Sequence, residues 1–577
     1  MARWKPDPTF YPTPALAGEA PPEDLAYVAL LASAESGKCD ALGVVDTDPD
    51  SPGYGRLVGQ VDLPDGGNEL HHFGWNACSS HLCPYAANAH AERRYLVVPG
   101  THSSRIHIID TKPDPRRPEL VRAISGDTVK AATGYSAPHT VHCGPDGVYL
   151  NALGAVDGDG PGGIFMLDHD TFDVKGRWEH ERGPQHLAYD FAWHLGHDTM
   201  LTSEWGTPNM VKDGVNPELL LAGKYGHALH VWDLRKRRHL ETLDLGPEQQ
   251  MVLELRPAHN PARAYGFVGV VISLKDLSSS VWMWYRDGAN GSARWQVKKV
   301  IEIPAEPAAA EDLPPLLQGF KAVPPLVTDI NLSLDDRFLY VSCWGTGELR
   351  QYDVSDPFHP VLTGTTRIGG IVRRRSHPAA PDRPLNGAPQ MVEVSRDGRR
   401  VYLTNSLYTP WDAQFYPDGV RGWMVKLDAD PKGGMALDPR FLLEMDEGMR
   451  PHQVRLQGGD ASSDSSAIRR DYDGVALGGA GAPRRRPRPQ PRHGLAVRGC
   501  AGAPGARPAG GLGCPAAAGR GARARDRGGD RGRGGARAGP AGQRAPVDDR
   551  RHAAGLRAAP AAPPPASPGD GHARGRR

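Results

Sequence analysis

Residues 138–151 read P-H-T-V-H-C-G-P-D-G-V-Y-L-N, two short β-patterned runs joined by a Pro-Asp-Gly turn. The same frame returns at 389–404, P-Q-M-V-E-V-S-R-D-G-R-R-V-Y-L-T, and at 327–342, V-T-D-I-N-L-S-L-D-D-R-F-L-Y-V-S. Downstream of each lies a third apolar run that closes on Asp or Tyr. Its copies are A-L-G-V-V-D at Asp46, R-I-H-I-I-D at Asp110, G-I-F-M-L-D at Asp168, A-L-H-V-W-D at Asp233, V-W-M-W-Y at Tyr285, L-R-Q-Y-D at Asp353 and W-M-V-K-L-D at Asp428. The copies fall roughly 50 to 75 residues apart, a spacing that a strand-rich repeat reaches through loop insertions. Hardly any segment carries a helical period. The pattern predicts an all-β chain, a β-propeller of about seven blades spanning residues 24–464. A solenoid is the competing architecture, and such long, irregular copies suit it less well.

Superposing these frames puts His139, Gln390 and Asp329 at one position of the repeat. Tyr189-Asp190-Phe191, Arg450-Pro451-His452 and Leu70-His71-His72 supply Asp190, His452 and a histidine at the same place. The first strand of a propeller blade lines the central channel. A ring of polar side chains is therefore expected at one mouth, with imidazoles from three blades. Neighbours in a strand face opposite ways, as do residues three apart. Unless the backbone turns there, one histidine of His71/His72 and one of His139/His142 should meet His452. Three imidazoles suit copper, zinc or iron alike. The competing reading is a set of hydrogen-bonded histidines at blade edges.

The stretch 69–83, E-L-H-H-F-G-W-N-A-C-S-S-H-L-C, adds Cys78 as a soft metal ligand or a thiolate nucleophile, against the plainer role of a small buried thiol. Cys83 lies at no strong metal spacing, and Cys39, Cys143 and Cys343 sit in apolar contexts that suggest core filling. Glu69, Asp190 and Asp329 could orient ligand histidines or act as general base, or simply form ion pairs and caps. The recurring Trp residues are expected to pack the blades. No phosphate loop, G-x-S-x-G elbow or H-E-x-x-H helix is present, which argues against nucleotide use, serine hydrolysis and zincin chemistry.

Composition bounds the rest. The 577 residues are 39% hydrophobic and 23% charged, ordinary for a globular protein. The net charge of +1 conceals an acidic body and an Arg-rich end. Residues 1–23 are Pro-rich and expected as an extended arm. Residues 465–577, built of Arg, Ala, Gly and Pro, cannot bury enough apolar surface to offset their ordering entropy, and are expected to be a disordered tail. Their composition resembles an out-of-frame reading of a GC-rich gene more than a nucleic-acid-binding arm, and no nucleic-acid partner is expected. Seven Cys without a C-x-x-C pair predict reduced thiols. With no leader and no run of about twenty apolar residues, a cytoplasmic protein without a membrane span is expected.

Several of these motifs, among them E-L-H-H-F-G-W-N-A-C-S-S, A-P-H-T-V-H-C, T-S-E-W-G-T-P-N, S-L-Y-T-P-W-D-A-Q-F-Y-P and H-Q-V-R-L-Q-G-G-D-A-S-S-D, resemble the selenium-binding protein family, which includes the methanethiol oxidases. The likeness covers roughly residues 4–464. It implies a propeller that oxidises methanethiol with O2 and water to formaldehyde, hydrogen sulfide and hydrogen peroxide. It further implies copper held by His71, His72, His139, His142 and His452, with Cys78 matching the family's first C-S-S-C-like cysteine; beside such a centre Asp329 or Glu69 could move protons. His81 stands where many animal members have the second cysteine. The cysteine proposed to carry selenium there falls near Gly55, so the resemblance supports selenium binding less directly. The alternatives are a non-enzymatic propeller that binds selenium or thiols or serves as an interaction platform, and a calcium-dependent lactonase-type hydrolase.

Overall fold

A computed structural model describes residues 9–458 apart from 12, 34–35, 83–85, 87–89, 261 and 289–292. The expected tail and Cys83 lie outside the described residues. Seven four-stranded antiparallel sheets form the blades of a propeller, and two further sheets of two strands lie in loops. From the channel outward, the second blade runs Gly74–Trp75, Tyr95–Pro99, Ile106–Asp110 and Glu119–Ile124, and the others repeat that order. The third strand of every blade is the run that the sequence marks by its closing Asp or Tyr, from Ala41–Asp46 to Trp423–Ala429.

Burial follows the radius. Strands near the axis are buried on both faces, as in Tyr135–Gly144, Gln249–Pro257 and Val327–Leu332. The outermost strands alternate, and Leu57–Asp62 and Glu119–Ile124 present Asp, Gln, Glu and Arg to solvent. A charged outer edge resists pairing with other sheets. Apolar clusters fill the seven gaps between blades. Ile106 and Ile108 meet Val141 and Val148 across one gap, and Phe267 and Val281 meet Ile330 and Leu332 across another. Over one end of the channel the loops build a further, aromatic layer containing Trp205, Trp344, Tyr408, Trp411 and Phe415.

The ring is closed by the two ends of the described residues. Met449–Leu456 is the innermost strand of a blade whose other three strands, Leu25–Ala32, Ala41–Asp46 and Leu57–Asp62, come from the beginning of the chain. All eight residues of that closing strand are buried, and it pairs antiparallel with Leu25–Ala32, Ala26 opposite Leu456 and Val28 opposite Val454. Within the expected extended arm, Pro14–Gly18 instead forms one helical turn capped by Thr13. The longest helix among the described residues, Gly126–Thr133, has eight residues, and none is long and apolar enough to cross a membrane.

Side chains tie each inner strand to the next. The amide of Phe73 donates to Gln453 Oε1 (2.6 Å), that of Leu255 to Asp190 Oδ2 (2.7 Å) and that of Val392 to Asp329 Oδ2 (2.7 Å). Because closure involves buried pairing, a chain ending at Asp446 should lose cooperative thermal unfolding, whereas one ending at Gly458 should keep it. Equal midpoints by circular dichroism for the two chains would contradict this role of the closing strand.

Candidate metal centre

The histidines of three adjacent blades meet in the channel. His452 lies on the closing strand, His139 on Tyr135–Gly144, and His71 and His72 just before Gly74–Trp75. Ring centroids are 3.6 Å apart for His71 and His452, 4.6 Å for His71 and His139, and 4.2 Å for His72 and His139. All four rings are buried. One nitrogen each from His71, His72 and His452 lies within 4.8 Å of the other two.

Strand alternation predicts one member of each pair, and for His71/His72 that expectation fails. Both join the group, with rings stacked at 4.9 Å. The cause is local backbone: His71 and His72 precede the strand, and Glu69 before them adopts φ +51°. Ala137, two residues before His139, sits at φ +54°, and the pairing of its strand shifts register between Pro138 and Val141. Non-glycine residues in this region cost about 1–2 kcal/mol, an expense met by the surrounding packing. Of the second pair, His139 joins the group and His142 turns to Asp190, its Nε2 3.7 Å from Oδ1, with its ring edge-on to Phe191.

Hydrogen bonds decide which nitrogens are free. His452 Nδ1 donates to the Ser406 carbonyl (2.6 Å), which leaves its Nε2 lone pair unpartnered. Thr140 Oγ1 donates to the Tyr189 carbonyl, so it accepts from His139 Nδ1 (3.0 Å). His139 Nε2 is then an acceptor for His71 Nδ1 (2.7 Å), and His71 Nε2 is left free. His72 Nε2 also lacks a hydrogen bond. Three buried imidazole nitrogens without a hydrogen bond in one place are costly unless something binds them. Neutral imidazole is a metal ligand, and a partner that fixes its tautomer is the usual companion. The donor set therefore fits a metal ion, with His139 as the partner that orients His71.

Burial holds the imidazoles neutral. It pushes His139 and His452 down to about 3, and His71 and His72 well below the ordinary value, helped by their mutual repulsion. Across the channel stands a carboxylate group. Arg256 pairs with Glu254 (3.0 Å), Asp329 (3.1 Å) and Asp190 (3.5 Å). Burial pushes Glu254 well above the usual carboxylate range and Asp329 up to about 6 against the pull of Arg256. Burial also opposes ionisation of Asp190, but His142, Arg256 and the Leu255 amide hold it below the usual range. Glu254 Oε1 accepts from the Tyr189 hydroxyl (2.9 Å) and lies 3.5 Å from His72 Nε2.

The remaining expected residues sit differently. Glu69 is bound by the Thr409 amide (2.6 Å) and hydroxyl (2.9 Å), and so anchors the loop whose Tyr408 stacks on His71 at 4.1 Å. The expectation of reduced thiols fails for Cys78 and Cys143, which form a disulfide with Cα atoms 6.0 Å apart. Sixty-five residues separate them, and only the placement of neighbouring inner strands side by side brings them together. Cys78 is thus no free thiolate and Cys143 no mere core filler. Cys343 is buried as expected, its thiol pushed up to about 12 by desolvation, while Cys39 is only half-buried. Glu254, Arg256, Tyr189, Ser406 and Tyr408 escape the sequence reading. The Glu-x-Arg within the apolar run M-V-L-E-L-R-P was a signal of a buried pair, but it lacks the turn that marks the other repeats.

Fold and site together define a propeller whose axis carries a buried histidine cluster suited to a metal ion. The chain matches the family of 56 kDa selenium-binding proteins over residues 4–467 and belongs to it. Selenium-binding protein 2 of Mus musculus and methanethiol oxidase of Homo sapiens are each 39% identical to it, over 79% of this chain and 97% of theirs. The crystal structure of a hypothetical selenium-binding protein from Sulfolobus tokodaii is 56% identical, with a TM-score of 0.76, and covers 80% of this chain and 99% of that one.

The buried imidazoles give a pH prediction for the full chain stripped of metal by a chelator. Their folded values lie below the unfolded value of about 6.5, so the unfolded chain binds more protons in between. The imidazole contribution should be fully present above about pH 6.5 and fall as pH drops towards 3, by roughly 1.4 kcal/mol per unit for each such group. Because the raised carboxyls Glu254 and Asp329 act in the opposite sense, the check is comparative: the loss of stability from pH 7 to pH 4 should be smaller in His452→Leu than in the parent, and an equal loss in both would contradict it.

Proposed function

We propose that the protein is a copper-dependent oxidase of small thiols, converting methanethiol, O2 and water to formaldehyde, hydrogen sulfide and hydrogen peroxide. The observation that carries this reading is the convergence in a buried channel of one ring nitrogen each from His71, His72 and His452, residues whose Nε2 atoms make no hydrogen bond. The relatives named methanethiol oxidase supply the reaction class. In that reaction two electrons leave the carbon and reduce O2 to hydrogen peroxide, while the sulfur departs as hydrogen sulfide. Copper bound there would provide a soft site for thiolate sulfur and a path for electrons to O2.

The protein's own residues do the rest. His71, His72 and His452 hold the ion. His139 and the Ser406 carbonyl fix the tautomers of His71 and His452. Tyr408, stacked on His71, and Tyr189, 4.5 Å from the His139 ring, wall the site against water. Burial around the centre strengthens every charge interaction made within it. Asp329, paired with Arg256, receives and returns the thiol proton, and near 6 it can exist in both states close to neutrality. Glu69 acts at a distance, by holding Thr409 and with it Tyr408. His142 positions Asp190, and the Cys78–Cys143 disulfide joins the segment just after Gly74–Trp75 to the strand that bears His139.

A second reading, selenium or thiol binding without turnover, is favoured by the mouse relative's name. One assay separates the two. Full-length protein loaded with copper should consume O2 when given methanethiol and release sulfide and peroxide in equal amounts. His452→Ala should lower kcat/KM about a hundredfold or more, and His139→Ala tenfold to a hundredfold, the range for residues that orient a metal ligand. Copper-loaded protein that takes up no O2 and forms no sulfide would leave only the binding reading standing.

A further inference from the structure

Every histidine of the centre is buried, so a small molecule reaches it only where a wall moves. One wall is a single ring that also borders a pocket. Tyr408 stacks on His71 at 4.1 Å, and it lines a pocket of about 350 Å³ together with Thr101, His102, Ala137, Val156 and Asn209. Ala137, two residues before His139, brings the same pocket to the strand that carries a second imidazole of the group. His102, Val156 and Asn209 are exposed, so the pocket opens to solvent on its far side.

The backbone around Tyr408 is held on both sides, whereas its side chain is not. The Leu407 amide donates to Asp412 Oδ1 (2.9 Å), the Tyr408 carbonyl accepts from the Asp412 amide (2.8 Å), and the Thr409 amide is fixed on Glu69 (2.6 Å). The Tyr408 hydroxyl is buried and makes no hydrogen bond, and the neighbouring Thr101 hydroxyl turns to the Pro138 carbonyl (3.3 Å). A buried tyrosine usually secures a partner for its hydroxyl, and leaving it without one is costly. Turning this ring about its Cα–Cβ bond therefore gives up a stack on His71 and no hydrogen bond. Space to receive it is at hand, because a cavity of about 150 Å³ already holds a benzene ring.

We infer that Tyr408 is the gate of the centre: its ring turns into the pocket to admit a small thiol, and returns onto His71 to exclude water. The inference rests on the copper-centre reading and adds to it the route of entry and the residue that controls it. Glu69, by fixing Thr409, keeps the pivot still while the side chain moves.

The test follows azide, a small anion that stands in for a thiolate, as it binds the Cu(II)-loaded full-length protein in a stopped-flow instrument. A gate lies on the path in and on the path out, so it changes association and dissociation by one factor and leaves Kd unaltered, whereas a ring that merely supports the ligand site changes Kd. Tyr408→Ala should raise both rates about tenfold, the size expected from losing one aromatic stack. Val156→Trp and Asn209→Trp, which fill the pocket from its exposed wall, should lower both rates in whichever keeps the parent's circular dichroism and thermal midpoint. Rates unaltered in Tyr408→Ala, a shift in one rate alone, rates unaltered in a folded wall variant, or a copper-loaded parent that takes up no azide overturns the gate. A parent that binds no stoichiometric copper overturns the centre and the gate with it. Gated azide binding without sulfide or peroxide from methanethiol overturns the oxidase reading and leaves the gate standing.

Discussion

The pairing of Met449–Leu456 with Leu25–Ala32 is the contact on which the rest of the molecule depends. It converts seven sheets in a row into a ring, which leaves no sheet edge facing another chain at that seam. It also delivers His452, 381 positions further along the chain, to His71 at a ring separation of 3.6 Å. Neither histidine sits in a local motif with the other. The cluster exists because the ring closes, so the stability of the fold and the assembly of the site are one event.

Around the axis the polar groups are sorted by blade. Imidazoles occupy one side, and Asp190, Glu254 and Asp329 occupy the other, with Arg256 among the carboxylates. Both halves are buried, and burial drives each towards its neutral form: imidazoles are pushed down and Glu254 and Asp329 up. The buried guanidiniums on the inner strands are paired, Arg256 with the three carboxylates and Arg455 with Glu393. The same inner-strand position also serves the scaffold, because Asp190 and Asp329 accept an amide from the next blade. Structural and chemical demands thus fall on the same residues, and a substitution at Asp329 would disturb both.

Much of this arrangement was legible in the chain. The seven closing runs mark the third strand of every blade, and the superposed hairpins put His139, Asp190, Asp329 and His452 on the channel because an inner strand must carry the same position in each repeat. What escaped depends on backbone or on distance. The left-handed turn at Glu69 lets both His71 and His72 face the centre, and alternation cannot foresee it. The disulfide of Cys78 with Cys143 joins residues of two blades, invisible to spacing rules. Glu254 was hidden because its strand lacks the turn used to align the others. Glu69 read as a proton carrier, while its carboxylate is taken up by Thr409.

The central claim, that imidazoles from separate blades share one ion, is tested most directly by pulsed electron paramagnetic resonance of the Cu(II)-loaded full-length protein. The account predicts one copper per chain, coupling to the remote nitrogens of three imidazoles, and the loss of one imidazole in His452→Ala. A copper signal with no imidazole coupling, or one that His452→Ala leaves unaltered, would contradict it.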